Sequence, residues 1–231
     1  METGSCMLTL ISAGIAPGVA LLSYFYLKDE YEIEPLSIVL RMFLVGAFFV
    51  FPIMFIQYVF HAEGMATSAV THAFFLSGLL EEFVKWFILY FFIYDHHEFD
   101  EPYDGIVYSA SVSLGFATLE NILYLLANGV EFAMTRALLP VSSHALFAVI
   151  MGFYFGKAKF AMKKQRYLFL SFSLPFLLHG TYDFILLTQE KWGYYMVPFM
   201  LSLWWFALRK VKQAKGFHNH EGISPAKSQV Q

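Results

Sequence analysis

Residues 69–94 read AVTHAFFLSGLLEEFVKWFILYFFIY. A membrane-spanning helix needs about 20 mostly apolar residues, and this run supplies them without a break for a turn. Yet Glu81, Glu82 and Lys85 sit in its middle. Ionisable groups at bilayer depth cost several kcal/mol or more unless they meet partners or a wet cavity. One stretch therefore makes two predictions: the chain lives in a membrane, and its helices enclose a polar site.

The rest of the chain agrees. Of its 231 residues 58% are hydrophobic and only 14% charged, and the mean hydropathy is +0.56. That leaves too little polar surface to cover a water-soluble globule, since ordinary domains carry about 25% charged residues. A cytosolic enzyme, a disordered chain and a secreted disulfide scaffold are excluded. A net charge of −3 offers no electrostatic footprint for nucleic acid. The single cysteine, Cys6, cannot close an intramolecular disulfide or build a thiolate cage, and reads as a small apolar residue. The opening METGSCMLTL lacks the basic start of a secretory signal, so it reads as part of a retained first span.

Apolar runs predict spans at 7–27, 36–60, 69–94, 104–127, 134–156, 167–189 and 193–209. The fold class is all-α, a polytopic bundle of about seven transmembrane helices. Residues 1–215 form one integral membrane domain. The polar stretch 216–231 reads as a flexible tail. Basic residues orient the bundle. With the N-terminus outside, Lys28, Arg41, Lys157, Lys159, Lys163, Lys164, Arg166, Arg209, Lys210, Lys212, Lys215 and Lys227 face the cytoplasm, while only Arg136 and Lys191 lie outside. Twelve against two predicts an N-out, C-in topology and a cytoplasmic tail. On this placement Arg136 anchors its helix near the outer interface. His61, His72, His96, His97, His218 and His220 read as solvated.

Polar groups recur inside the other spans: Glu120 and Asn121, His144, then His179 and Asp183. At 1.5 Å per residue from the outer ends, Glu81 and Glu82 lie about 18 Å down, His179 about 16, His144 about 15, Glu120 about 12 and Asp183 about 10. Helices running in opposite directions thus bring these groups to one layer in the middle to outer half of the membrane. Glu81 and Glu82 are each within helical reach of Lys85. They point about 100° apart, so one is expected to face the site and the other to support it. Lys85 either neutralises a carboxylate or acts directly. His179 and Asp183 share a helix face, so the carboxylate can orient the imidazole. Leu139–His144 and Leu174–His179 both follow an L-P-x-x-x-H pattern, in which the proline is expected to loosen the turn before the histidine. Asp104 and Gly105 are placed to cap the fourth span, and Gly115 to permit close packing.

A buried carboxylate can act as a general base near neutral pH, and a nearby histidine, lysine or asparagine can donate to a developing oxyanion. The chain has no G-x-S-x-G, no H-E-x-x-H and no aspartate pair of the kind an aspartyl intramembrane protease needs, since Asp104 stands at the very end of its span and Asp183 deep in another. Glutamate–histidine hydrolysis remains. The same residues are good zinc ligands, so a metal-bound water is an open alternative. A proton-coupled transporter is the rival from another class, because buried Glu/His sets also form relays.

The segments Gly78–Trp86 (GLLEEFVKW), Tyr103–Tyr108 (YDGIVY), Gly115–Asn121 (GFATLEN) and His179–Asp183 (HGTYD), with ISAGIAPG at 11–18, resemble the PrsW family. The resemblance extends over all seven spans. It implies a membrane protease that makes the first, site-1 cut in a single-span anti-sigma factor on the extracytoplasmic side. A downstream intramembrane protease would then act on the product and release a sigma factor under envelope stress. It also implies that Glu81, Glu82 and His179 are the catalytic residues. The related CAAX-prenyl-protease/bacteriocin-processing superfamily usually follows its glutamate pair with arginine, where Lys85 stands here. The expectation is therefore a cell-membrane peptidase with no cofactor, or alternatively Zn2+. Lys85, Glu120, Asn121, His144 and Asp183 support the catalytic three. Any metal would be held among Glu81, Glu82, Glu120, His144 and His179.

Overall fold

The computed structural model describes residues 2–29, 32–65 and 67–216, with the helical backbone alone at 2–6. The Cys6 side chain and all of the expected tail except Gly216 therefore lie outside what is described. The chain forms α1 (Glu2–Leu27), α2 (Leu36–Phe48), α3 (Val50–Ala62), a wide-turn π segment (Thr71–Leu79) continuing into α4 (Leu80–Phe92), and α5 (Asp104–Asn128). There follow a 3-10 turn (Val130–Phe132), α6 (Ala133–Arg136), a second π segment (Ala137–Val141), α7 (Ser142–Phe160), α8 (Lys164–Thr188) and α9 (Trp192–Gly216). No strand occurs among the described residues.

Among the described residues these elements make seven helical stretches at the expected places. Five are long and apolar enough to cross a membrane: Met7–Leu27, Leu36–Ala62, Asp104–Asn128, Val130–Phe160 and Lys164–Thr188. The stretch through Thr71–Phe92 is the one that carries the Glu81, Glu82 and Lys85 charges, and α9 ends in Arg209, Lys210, Lys212 and Lys215. Between α2 and α3 the helix breaks at Phe49. Pro52 explains the break, because its ring nitrogen cannot donate to the carbonyl four residues back.

The centre of the bundle is α5 packed against α1, α2 and α7, with α7 also meeting α8 and α9. Every residue from 103 to 118 is buried, and every one from 141 to 153. A helix buried all round has protein on every side, whereas α1, α2 and α4 turn Leu8, Val19, Leu44, Phe87 and Phe91 outward as a lipid-facing surface should. Two close approaches set the core. A Cβ on Gly152 would lie 2.2 Å from the Gly105 carbonyl oxygen, and one on Gly115 only 1.9 Å from that of Phe43. Small residues let backbones touch where lipid provides no hydrophobic drive for association.

Asp104 does not cap its own helix. Its Oδ2 instead accepts from the backbone N–H groups of Asp100 (3.0 Å) and Glu101 (2.6 Å), folding the preceding loop back onto α5. Beside it, between α1 and α2, Glu34 is buried at 4% exposure and accepts from the Tyr108 hydroxyl. Burial pushes the Glu34 carboxyl up to about 7 from an ordinary 4.5, although Tyr108 and Asp104 hydrogen bonds act the other way. The folded protein then binds a proton that the unfolded chain has already released, so stability falls as pH rises between those values. The melting midpoint of wild type in detergent, measured against Glu34→Gln, is expected to decline from pH 5 to 7 and level off above. A constant difference across that range contradicts this assignment.

Candidate active site

Two π segments shape the site. Helices with such widened turns are uncommon and occur often at functional positions. The first, Thr71–Leu79, ends just before Glu81 and Glu82. The second, Ala137–Val141, ends just before Ser142–His144. Pro140 lies in the second, where the hydroxyls of Ser142 and Ser143 donate to the Leu138 and Pro140 carbonyls. The expected loosening before His144 is therefore present. Before His179 it is not, because α8 runs unbroken through Pro175. What brings α8 close is glycine. A Cβ on Gly78 would sit 3.0 Å from both the Gly180 nitrogen and the Phe176 oxygen. Leu76, Ser77 and Gly78 are buried, so Glu81 and Glu82 follow directly from the point where the two helices touch.

Glu81, Glu82, Lys85, His144 and His179 converge as expected, and all five are at most 7% exposed. The two glutamates differ as their angular separation requires. Glu81 lines a polar cavity of about 240 Å³, together with Gln57, His72, Glu120, Arg136, His144, His179, Tyr182 and Asp183. Glu82, with no exposed surface, lies behind it: its Oε1 accepts from Lys85 Nζ at 2.8 Å and contacts His179 Nδ1 at 3.0 Å. Lys85 Nζ also reaches Glu81 Oε2 at 3.4 Å and His144 Nδ1 at 3.1 Å, and lies 4.4 Å from the centre of the Phe116 ring.

These contacts fix the imidazole tautomers. The Lys85 ammonium can only donate, so His144 Nδ1 accepts and the proton sits on Nε2, which faces Glu120 Oε2 at 3.3 Å. The ionised Glu82 can only accept, so His179 carries its proton on Nδ1. His179 Nε2 is 3.7 Å from Asp183 Oδ2, ion-pair range but longer than a hydrogen bond. The two rings stand 5.1 Å apart at 89°, and Phe147 stacks on His179 at 5.2 Å.

Asn121 does not face the cavity. Its amide donates to the Gly14 carbonyl at 3.1 Å and its oxygen accepts Arg136 Nε at 2.9 Å, so it ties α1 to the site from behind. Arg136 is no interfacial anchor. It is buried, 3.4 Å from Glu120 Oε1 and 4.1 Å over the Tyr124 ring. His72, expected to be solvated, lines the cavity with its Nδ1 buried and unpartnered. Gln57, which sequence reasoning passed over, donates to Glu81 Oε1 at 3.2 Å and to the Leu76 carbonyl at 3.1 Å. Its signal was a lone amide in the otherwise apolar VFPIMFIQYVF.

Among the described residues, Glu81, His144 and His179 offer ligand atoms all within 4.8 Å of one another. His179 presents Nδ1 to Glu82 and keeps Nε2 for an ion, whereas His144 presents Nε2 to Glu120 and would ligate through Nδ1 only in place of its Lys85 contact. Those carboxylates are the outer support metal-bound histidines require. Charge points the same way. Glu81, Glu82, Glu120 and Asp183 face Lys85 and Arg136, which leaves two formal negative charges when both imidazoles are neutral and fewer when His179, between Glu82 and Asp183, carries a second proton. A divalent cation would balance them. The donor set thus fits a metal, and the five candidate ligands narrow to three.

A multi-pass membrane protein with a buried acid–imidazole cavity has the parts that intramembrane hydrolysis needs. The family described as "PrsW family intramembrane metalloprotease" matches residues 34–207, and the chain belongs to it. It is 75% identical to Protease PrsW of Geobacillus kaustophilus (strain HTA426) over 97% of this chain and all of that one. It is 62% identical to Protease PrsW of Bacillus subtilis (strain 168) over 90% and 97% of the two chains. With Protease PrsW of Clostridioides difficile (strain 630) the identity is 34% over 84% of each. No solved structure matches. The chain is a peptidase of the cell membrane. The family's description as a metalloprotease stands against the expectation of no cofactor.

Proposed function

We propose that this peptidase makes the site-1 cut in a single-span anti-sigma factor on the extracytoplasmic side, preparing it for a second intramembrane protease. The observation that carries the chemistry is the cavity itself. One carboxylate, Glu81, reaches it and the other, Glu82, supports it from behind. The topology is N-out and C-in by the distribution of basic residues, which puts the cavity in the outer half of the membrane.

Glu81, His144 and His179 would hold a divalent metal ion such as Zn2+. When bound, the ion supplies an activated water and polarises the scissile carbonyl. The protein's own groups do the rest. Glu81 has two oxygens, one for the ion and one to take the proton of the attacking water and pass it to the leaving nitrogen. Gln57 and Lys85 hold that carboxylate in place. Glu82 fixes the His179 ring and Glu120 the His144 ring. Arg136 and Asn121 brace Glu120 against α1 and α5.

The test is reconstitution of the purified chain in liposomes with a single-span anti-sigma substrate and an internal pH dye. Cleavage on the extracytoplasmic side of the substrate's span, without proton flux, is expected. Proton flux without cleavage supports the transporter instead. Cleavage of unrelated single-span proteins at equal rates removes the anti-sigma assignment.

A further inference from the structure

Peptide hydrolysis puts negative charge on the carbonyl oxygen, and a donor already in place there is worth a large share of the rate. The groups expected to serve are already engaged. Asn121 is tied to Gly14 and Arg136, the His144 proton to Glu120 and the His179 proton to Glu82. Lys85 is held by Glu81, Glu82 and His144. Among the described residues, three cavity-lining groups keep a buried polar atom without a hydrogen-bond partner, His72 Nδ1, Arg136 Nη2 and the Tyr182 hydroxyl, and of these only Tyr182 is a neutral hydroxyl donor. It lines the cavity at 4% exposure, and its hydroxyl is buried without a hydrogen-bond partner. Leaving such a group unpaired costs about 1–3 kcal/mol, so an orphan in a polar cavity calls for an explanation.

Its placement supplies one. Tyr182 lies three residues after His179, on the same face of α8. Its ring packs edge-on to Phe147 at 6.3 Å and against Phe199 at 6.4 Å. Phe147 also stacks on His179, so a single aromatic side chain sets the position of both. The Ser143 hydroxyl, which donates to the Pro140 carbonyl, is a near neighbour of Tyr182 but does not meet hydrogen-bond geometry with it, and Asp183, Arg136 and Glu120 complete its polar surroundings.

Resting on the protease reading above, we propose that Tyr182 is a further catalytic residue, whose hydroxyl donates a hydrogen bond to the scissile carbonyl oxygen as it becomes an oxyanion. The water oxygen bonds to the carbonyl carbon and its proton passes to Glu81. The C–N bond then breaks and the proton goes to the leaving nitrogen. Tyr182 keeps its own proton throughout.

Tyr182→Phe retains the ring and removes only the donor. In the full-length chain cleaving a single-span peptide in liposomes, kcat is expected to fall about 100-fold. KM, metal content and melting midpoint should stay at wild-type values. An unchanged kcat, or a loss confined to KM or to metal content, overturns the proposal. Should the Phe variant not fold, 3-fluorotyrosine at position 182 provides a more acidic donor. It must raise kcat at constant KM, and an unchanged kcat again overturns it. Wild type that cleaves nothing fails the protease reading and takes this proposal with it, whereas active wild type matched by Tyr182→Phe fails this proposal alone.

Discussion

Glu81→Gln is expected to reduce cleavage at least about 1,000-fold while membrane insertion and melting midpoint stay near wild type. The amide keeps the shape of the side chain and its contact with Gln57, but it can neither take a proton from water nor contribute a charged ligand. Lys85 retains Glu82 at 2.8 Å, so the variant leaves no buried ammonium unpaired. Glu82→Gln is also expected to fail, for a different reason. It loosens His179 and Lys85 together, and losing such a support typically lowers metal affinity 10–100-fold. Excess metal should therefore restore part of the Glu82→Gln activity and none of the Glu81→Gln activity. Initial cleavage rates over a zinc titration separate the two. Equal rescue of both variants contradicts the division of labour between the glutamates.

Dialysis against a strong chelator is the second large effect. Cleavage should fall by at least about 1,000-fold and return on adding back Zn2+, because the ion supplies both the activated water and the polarised carbonyl. Affinity should drop with acidification, since imidazole ligands must be unprotonated to bind. Chelation that leaves the cleavage rate untouched would return the mechanism to glutamate–histidine chemistry alone. Those outcomes are read in the same liposome assay.

Much of this was legible in the residues. The apolar runs locate all seven described helical stretches, with α9 extending seven residues past its expected end at 209, and the depth estimate already brings Glu81, Glu82, His144 and His179 to one layer. The 100° separation of Glu81 and Glu82 anticipated that one would face the site. Periodicity cannot say which one, because the answer depends on how the π segment at Thr71–Leu79 rotates the next turn. The same limit misplaced Arg136. Its position near a span end suggested water, but the short α6 and the second π segment turn it inward onto Glu120. Gln57 was missed as a lone amide on a mostly lipid-facing element and His72 as a residue near a span end, and only tertiary packing shows which side each takes. Tyr182 stood inside the HGTYD motif, hidden as an ordinary aromatic until its hydroxyl proved to lack a partner.

In the proposed mechanism one divalent ion held by Glu81, His144 and His179 balances the negative charge around them. Elemental analysis of the detergent-purified chain, beside Glu81→Gln and a His144→Ala/His179→Ala double variant, measures this directly. About one zinc-like divalent ion per wild-type chain is expected, with reduced content in Glu81→Gln and none in the double variant. A fully active wild-type chain free of metal, with protons on both imidazoles supplying the missing charge, would contradict it.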